Sequence, residues 1–492
     1  MKDMVDITFT MRTFALSCLA YGCVAVSASA DPIQDQIDAL QQRINAVETD
    51  TDEMQTSLDI IQADSEENWL SQERALQIQS IVHEVLSDAD SRSNLVGDGL
   101  LGGWDEGFFI ASSDGRFKLK IGGLLQERYI TSYLRVGLPT VASGGSNDRW
   151  RAGFENTRTR LNISGHIFDR DTTFLIQPGF GWLDPNAFVS AFANQYQTKI
   201  ESRLWDACIK FKLGDEWSAK AGVFMLPFTR ESLVSDMYQL AVDRSLIDYR
   251  LGLARSEGVE FTWVRDNTRA FIALSDGSVA LGGSDSGLRS QTPPWSGLGN
   301  NVDWSVTSRV EFLLDGNWEQ FNQFTSSPGS SVAAMFGIAM HAQQGERGGE
   351  GVPQDQIGLT ADYSVHLDGG TLFASGTIHN QENAVTPSGR LPNVDWVGYV
   401  LQGSFYTSHT TEVFMRFEGG GARQNEAGGD DVHILTTGVN WYLDGQGLKI
   451  TSDFGWSLGE ISTQMQNYMV GWRGSANRNA EWLFRTQLQL SF

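Results

Sequence analysis

The stretch Glu481-Trp482-Leu483-Phe484-Arg485-Thr486-Gln487-Leu488-Gln489-Leu490-Ser491-Phe492 reads by twos. Strand side chains alternate between faces, so Trp482, Phe484, Leu488, Leu490 and Phe492 share one side while Arg485, Gln487, Gln489 and Ser491 share the other. A soluble sandwich strand alternates in the same way. Aromatics near both ends, an arginine and glutamines between them, and a final Phe492 suit instead a strand crossing an outer membrane, with Phe492 as an assembly signal.

The same period extends upstream. Phe117, Leu119 and Ile121 face away from Lys118, Lys120, Gln126 and Arg128, and Leu161, Ile163 and Ile167 face away from Arg158, Arg160, Asn162, Ser164 and His166. Ala207, Ile209, Phe211 and Leu213 oppose Asp206, Cys208, Lys210 and Lys212, and Trp217, Ala219, Ala221, Val223 and Met225 oppose Lys220. A Lys or Arg turned to lipid at midplane costs about 2–4 kcal/mol. The shared polar face, with Lys118, Lys120, Arg128, Arg158, Arg160, Lys210, Lys212 and Lys220, is therefore expected to line a water-filled bore.

Short turn signals fall at residues 169–171, 214–216, 265–267, 315–317, 368–370, 408–410 and 444–446, and segments rich in Gly, Ser and Asn lie between them. Short turns at one end and long loops at the other are the habit of outer-membrane barrels. Their alternation predicts an all-β transmembrane barrel of about sixteen antiparallel strands over 108–492, with fourteen or eighteen as the neighbouring counts. Sixteen requires residues 459–480 to be one long external loop and 318–330 to be an unusually long periplasmic connection.

Before the barrel the reading changes. Arg12, an apolar run from Phe14 to Val26 and Ala28-Ser29-Ala30 before Asp31 form the pattern of a cleaved export signal over 1–30. The run falls well short of the roughly 20 residues an anchor helix needs. Cys18 and Cys23 leave with that peptide, and Cys208 alone cannot form an intrachain disulfide framework or a metal cluster. With a mean hydropathy of -0.24 and no other long apolar run, only a closed barrel could satisfy backbone polar groups in lipid.

From Ile33 to Ile61 apolar residues recur in alternating steps of three and four, with Ile37, Ile44 and Leu58 at a, and Ile33, Leu40, Val47, Met54 and Ile61 at d. Thr51 is a polar a position. This predicts a periplasmic α-helical coiled coil within 31–95 that joins copies of the chain. A second helical stretch runs from Glu73 to Ala89, and Gly97, Gly99, Gly102 and Gly103 read as a linker over 96–107. Fifteen acidic and three basic residues between Asp31 and Arg92 supply about half of the net charge of -24. So acidic a chain excludes nucleic acid as a partner, because phosphate binding needs a basic face.

Gly222-Val223-Phe224-Met225-Leu226-Pro227-Phe228-Thr229-Arg230-Glu231, followed by Asp243-Arg244-Ser245-Leu246 and Gly258-Val259, resembles the phosphate-selective porin O and P family. The Arg158-x-Arg160 strand with Gly165 and the terminal Arg485-x-Gln487 strand are similar too. The resemblance covers roughly residues 108–260 and the C-terminal strand. It implies a trimer of sixteen-stranded channels whose third external loop folds inward as a constriction. Mapped here, that loop runs from about Pro227 to Ser256 and carries Arg230, Arg244, Arg250 and Arg255 beside Glu231, Asp236, Asp243 and Asp248. Its charges balance, which argues against a dedicated phosphate trap and for small polar solutes, some of them anionic.

The expected partners are outer-membrane lipid, such solutes, two further copies of the chain and the cell wall, with no cofactor and no metal. The seven histidines are scattered, and no catalytic arrangement accompanies them, so no enzymatic activity is expected. The rival reading is a structural tether in which the coiled coil grips the cell wall and the barrel serves as the anchor.

Overall fold

The computed structural model describes residues 100–105, 107–134, 149–181, 201–278, 302–345, 355–382, 385–386, 389–390, 393–423, 431–461, 465, 470–472 and 481–492. The expected signal peptide, the coiled coil and the second helical stretch lie outside the described residues.

The strands in chain order are β1 (Leu100–Trp104), β2 (Phe108–Ser112), β3 (Lys118–Leu134), β4 (Trp150–His166), β5 (Thr172–Gly181), β6 (Glu201–Lys212), β7 (Trp217–Met225), β8 (Arg255–Arg265), β9 (Thr268–Ser275) and β10 (Val302–Asp315). They continue with β11 (Ala333–Gly345), β12 (Asp355–Leu367), β13 (Gly370–Glu382), a two-rung ribbon of β14 (Val385–Thr386) and β15 (Gly389–Arg390), then β16 (Val394–Ser408), β17 (Thr411–Arg423), β18 (Val432–Asp444), β19 (Leu448–Ser457) and β20 (Glu481–Ser491). Eighteen of them form one sheet. Sixteen close a barrel, each antiparallel to its neighbour, and the ring is sealed where β20 pairs with β3 from Leu124↔Ser491 to Leu134↔Glu481. No described helix is long and apolar enough to cross a membrane.

The remaining two strands, β1 and β2, are a hairpin, and β2 pairs with the first residues of β3, from Lys118↔Ala111 to Ile121↔Phe108. Glycines that read as a linker thus lie partly inside a strand. Gly103 is small because the Phe109 ring lies over it, 2.9 Å from where a Cβ would stand.

The seven connections at one end of the barrel fall where the turn residues put them, each joining an adjacent pair of strands. One is long. Residues 316–332 contain a 3-10 helix, Trp318–Asn322, closed by a capping box between Asn317 and Gln320, and they bring Phe321 and Phe324 into the interior. The opposite end carries the long connections, of which 226–254 is described throughout.

Side chains alternate as expected. On β20, Phe484, Leu488 and Leu490 are exposed on the outer face, as is Phe492 just beyond it, while Arg485, Gln487 and Gln489 are buried inside. Ile357, Leu359, Leu372, Ile378, Leu401, Met415 and Phe454 continue the outer apolar band around the ring. Tyr133, Trp150, Phe454 and Trp482 cluster near the long-loop end of that band, with ring centroids 5.0–5.8 Å apart. An apolar belt of this extent, edged by aromatics, has no stable place in water and matches a hydrocarbon layer.

Candidate functional site

The connection between β7 and β8 folds into the barrel. Within β7, shortly before this connection, Gly222 takes φ 122° and lies against Ala207, whose carbonyl oxygen would be 2.2 Å from a Cβ. A side chain there would be strained in both respects. Phe228 is fully buried between His341 and His379, at ring-centroid distances of 6.4 and 5.2 Å. Two short helices follow, α1 (Arg230–Leu233) and α2 (Leu246–Leu251). Leu240, Leu246, Ile247 and Leu251 join an apolar cluster with Val394, Trp396, Val400, Phe414 and Ile434 on the inner wall. Burial of each such side chain contributes about 1.5–3 kcal/mol toward docking the loop.

Ion pairs fix it on the other side. Asp243 meets Arg128, Arg158 at 2.8 Å and Arg485 at 3.1 Å. Asp236 meets Arg160, Arg158 at 3.5 Å and Arg244 at 3.1 Å. Burial alone would push both carboxyls up, but the surrounding guanidinium groups hold them below the usual carboxylate range. The loop backbone is held as well. Asn440 donates to Leu240 O at 2.9 Å, Lys449 to Gln239 O at 3.1 Å, Arg416 to Asp243 O at 2.8 Å and Arg309 to Phe228 O at 2.8 Å.

These contacts give physical roles to the Asp-Arg-Ser-Leu stretch. Asp243 takes the wall arginines, and Arg244 donates to Glu231 O and Val234 O at 3.0 and 3.1 Å. Ser245 caps α2 by accepting from Asp248 N at 2.9 Å and donates to Glu231, while Leu246 enters the apolar cluster. Arg230 donates to Phe321 O, and Phe324 N donates to Tyr238 O at 3.2 Å. The loop thus meets the 316–332 connection inside the bore. Residues 458–480 contribute Ile461, Met465, Val470 and Trp472 to the same apolar cluster.

The expected site residues fall into separate places. Arg128, Arg158 and Arg160 are inside but buried under the loop, at 1%, 7% and 5% exposure. Arg255 lies against Asp206 at 3.0 Å, and Arg255 and Arg160 both stack on Trp205, at 4.9 and 3.8 Å. Lys118 meets Asp105 at 2.7 Å on the hairpin, and its hydrogen bond and charge hold the Asp105 carboxyl down. Lys120 belongs to the same β3 segment that pairs with β2.

Lys210 and Lys212 are exposed on β6. Lys220 meets Glu260 at 2.9 Å and lies 4.4 Å over the Phe224 ring. Arg250 stacks on Trp396 at 4.2 Å.

Other groups escaped sequence reasoning. Arg309 is buried on β10 with Asp362 at 2.8 Å and Glu311 at 2.7 Å, and Arg485 holds Asp453 at 2.7 Å as well as Asp243. Their inward parity was readable, but their partners stand on other strands, at separations that only the barrel's register fixes.

The inner wall is uneven as a result. Along β10–β13 and β17–β20 most inward side chains are buried, among them Thr307, Arg309, His341, Thr360, Glu412, Asn440, Lys449 and Gln489. On β4, β6 and β7 they stay partly or fully exposed toward the short-turn end: Asn162, Ser164, His166, Cys208, Lys210, Lys212 and Lys220.

Comparison with known proteins agrees with this architecture. Residues 145–326 match the family model for phosphate-selective porin O and P, so the resemblance carried by the motifs at 222–231 and 243–246 holds over that stretch. No curated protein matches the chain. An anion-selective porin from Comamonas acidovorans superposes with a TM-score of 0.50 at 11% identity, over 76% of this chain and 100% of its own. The outer membrane channel DcaP of Acinetobacter baumannii superposes with a TM-score of 0.47 at 11% identity, over 80% and 100% respectively. The likeness to the Comamonas acidovorans porin concerns the fold.

Proposed function

We propose that the chain is an outer-membrane porin, a water-filled channel for passive diffusion of small polar solutes with a preference for anionic, phosphate-like ones, and that it works as a homotrimer. In this orientation the short turns and the N-terminal coiled coil face the periplasm and the long connections face outside. The observation that carries the reading is the unevenness of the inner wall. The loop is held by β10–β20 and by the arginines of β3 and β4, whereas toward the short-turn end the inward side chains of β4, β6 and β7 stay partly or fully exposed, are mostly polar and include Lys210, Lys212 and Lys220. Held weakly at several such points, an anion can enter and also leave. Membership of residues 145–326 in a porin family model supports the same reading.

Purified protein in a planar bilayer tests it directly. A channel gives discrete current steps, grouped in threes for a trimer, and a silent membrane refutes the reading. Lys210→Glu with Lys212→Glu is expected to move the reversal potential toward cations. An unchanged potential would remove the anion preference while leaving the channel.

The alternative is a tether that binds the cell wall through the coiled coil. It is favoured by the density of the ion pairs and hydrogen bonds that hold the loop inside the barrel. Silent bilayers together with retention on purified cell-wall material would select it.

A further inference from the structure

Above the constricting loop, toward the long-loop end, one patch of inner wall carries several buried polar atoms without hydrogen-bond partners. Gln343 on β11 pairs across the sheet with Gln356 on β12, which pairs with Gln381 on β13. One step lower, His379 pairs with Trp396 on β16. Directly opposite residues on one face lie about 5 Å apart, so these side chains form a continuous surface. Arg250 reaches it from α2, its guanidinium over the Trp396 ring.

Part of the hydrogen-bonding capacity of the patch is unspent. Gln343 Oε1 accepts from Ser278 N at 2.8 Å and lies 3.2 Å from His341 Nε2, which leaves its Nε2 without a partner. Gln356, 1% exposed, has no partner at either Nε2 or Oε1. Trp396 Nε1 and Arg250 Nε are buried and unpartnered as well. Native interiors rarely leave such groups unpaired.

Arg250 also differs from Arg244 and Arg255. Arg244 and Arg255 each meet a carboxylate, whereas among the described residues Arg250 meets none within ion-pair distance. Burial pulls its guanidinium down to about 10. The floor beneath is closed, since His379 Nε2 contacts Leu251 O at 3.0 Å and Phe228 packs under both histidines.

We propose that this patch recognises a hydroxylated carboxylate of the sugar-acid class as it enters from the long-loop end. The carboxylate lies on Arg250 and the Trp396 N–H, and hydroxyl groups exchange hydrogen bonds with the amides of Gln343 and Gln356. Arg presents a planar fork that suits a carboxylate. A side-chain amide both donates and accepts, as a hydroxyl does. The proposal rests on the barrel being a solute path.

The test is calorimetric titration of the full-length protein in detergent with gluconate, glucose, acetate and inorganic phosphate. Gluconate is expected to bind, and the other three at least about tenfold more weakly, since each lacks one half of the recognition. Arg250→Gln is expected to weaken gluconate about tenfold and leave glucose unchanged, Gln356→Leu to weaken both, and Trp396→Phe to weaken gluconate alone. Should Gln356→Leu fail to fold, Gln343→Leu makes the same amide test. Absent gluconate heat, equal binding of acetate or phosphate, or an Arg250→Gln variant indistinguishable from the parent overturns the proposal; in that case ordered water occupies these groups. Current recordings on the same sample separate the two readings. Gluconate binding without conductance removes the channel and keeps the site, and conductance without binding does the reverse.

Discussion

Replacing Asp243 by Asn should release the constricting loop. Arg128, Arg158 and Arg485 converge on that carboxylate, and every member of the group is buried. Removing one partner of a buried ion pair costs about 3–5 kcal/mol, because the other charge stays desolvated and uncompensated. Asn keeps hydrogen-bonding capacity, and the arginines keep Glu155, Asp236 and Asp453, so the low end, about 3 kcal/mol, applies. At about 1.4 kcal/mol per tenfold, the undocked population rises roughly 100-fold.

Limited proteolysis with cleavage mapped within residues 226–254 reads that population directly when docking is fast relative to cutting. The same substitution leaves the bore one positive charge richer, so the reversal potential should move toward anions. A cleavage rate within about threefold of the parent, together with an unchanged reversal potential, would refute the claim that this cluster pins the loop.

Three further outcomes are expected. Burial, and then the neighbouring Glu231, push Asp248 up to about 7, so the docked loop keeps a proton that an undocked, ordinary carboxylate sheds. Docking is favoured below that range and weakens as pH rises through about 7; Asp236 and Asp243, held down, weaken it only at pH below the usual carboxylate range. Loop cleavage should be faster at pH 8 than at pH 6, Asp248→Asn should flatten the profile, and a flat profile in the parent chain would contradict the assignment. Deleting Phe492 removes a pair of backbone hydrogen bonds with Gly123, at 2.7 and 3.1 Å, and is expected to lower the amount of barrel recovered in outer membranes; unchanged recovery counts against a role in assembly. Deleting residues 31–61 should weaken the oligomer on crosslinking while the barrel stays resistant to unfolding at moderate temperature, and an unaltered oligomer would mean that barrel contacts suffice.

The barrel was legible because a period of two repeats in every strand and because each turn carries its own chemistry. Arg485, Gln487 and Gln489 could be assigned to the inside from the last twelve residues alone. The constriction was legible in part: the resemblance placed an inward loop between Pro227 and Ser256, and its charge balance was visible. Parity, however, tells that Arg158 and Arg160 face inward without telling what fills the space in front of them. Arg158 lies 78 positions from Asp236 along the chain and Arg485 lies 242 from Asp243, and such meetings follow from closure rather than from local pattern. Gly102 and Gly103 misled for a related reason. Glycine reads as flexible spacing, but at Gly103 it makes room for an aromatic ring from the next strand.

The hairpin and the terminal strand lie end to end along one side of β3, the hairpin on Lys118 to Ile121 and the terminal strand from Leu124 upward. The first is sealed by neighbours in the chain, and the second must wait for the whole polypeptide. A late-arriving strand that slid downward by two positions would therefore meet rungs already taken. With the β1–β2 ribbon occupying those rungs, the alignment in which the ring shuts is bounded from below by residues near its beginning.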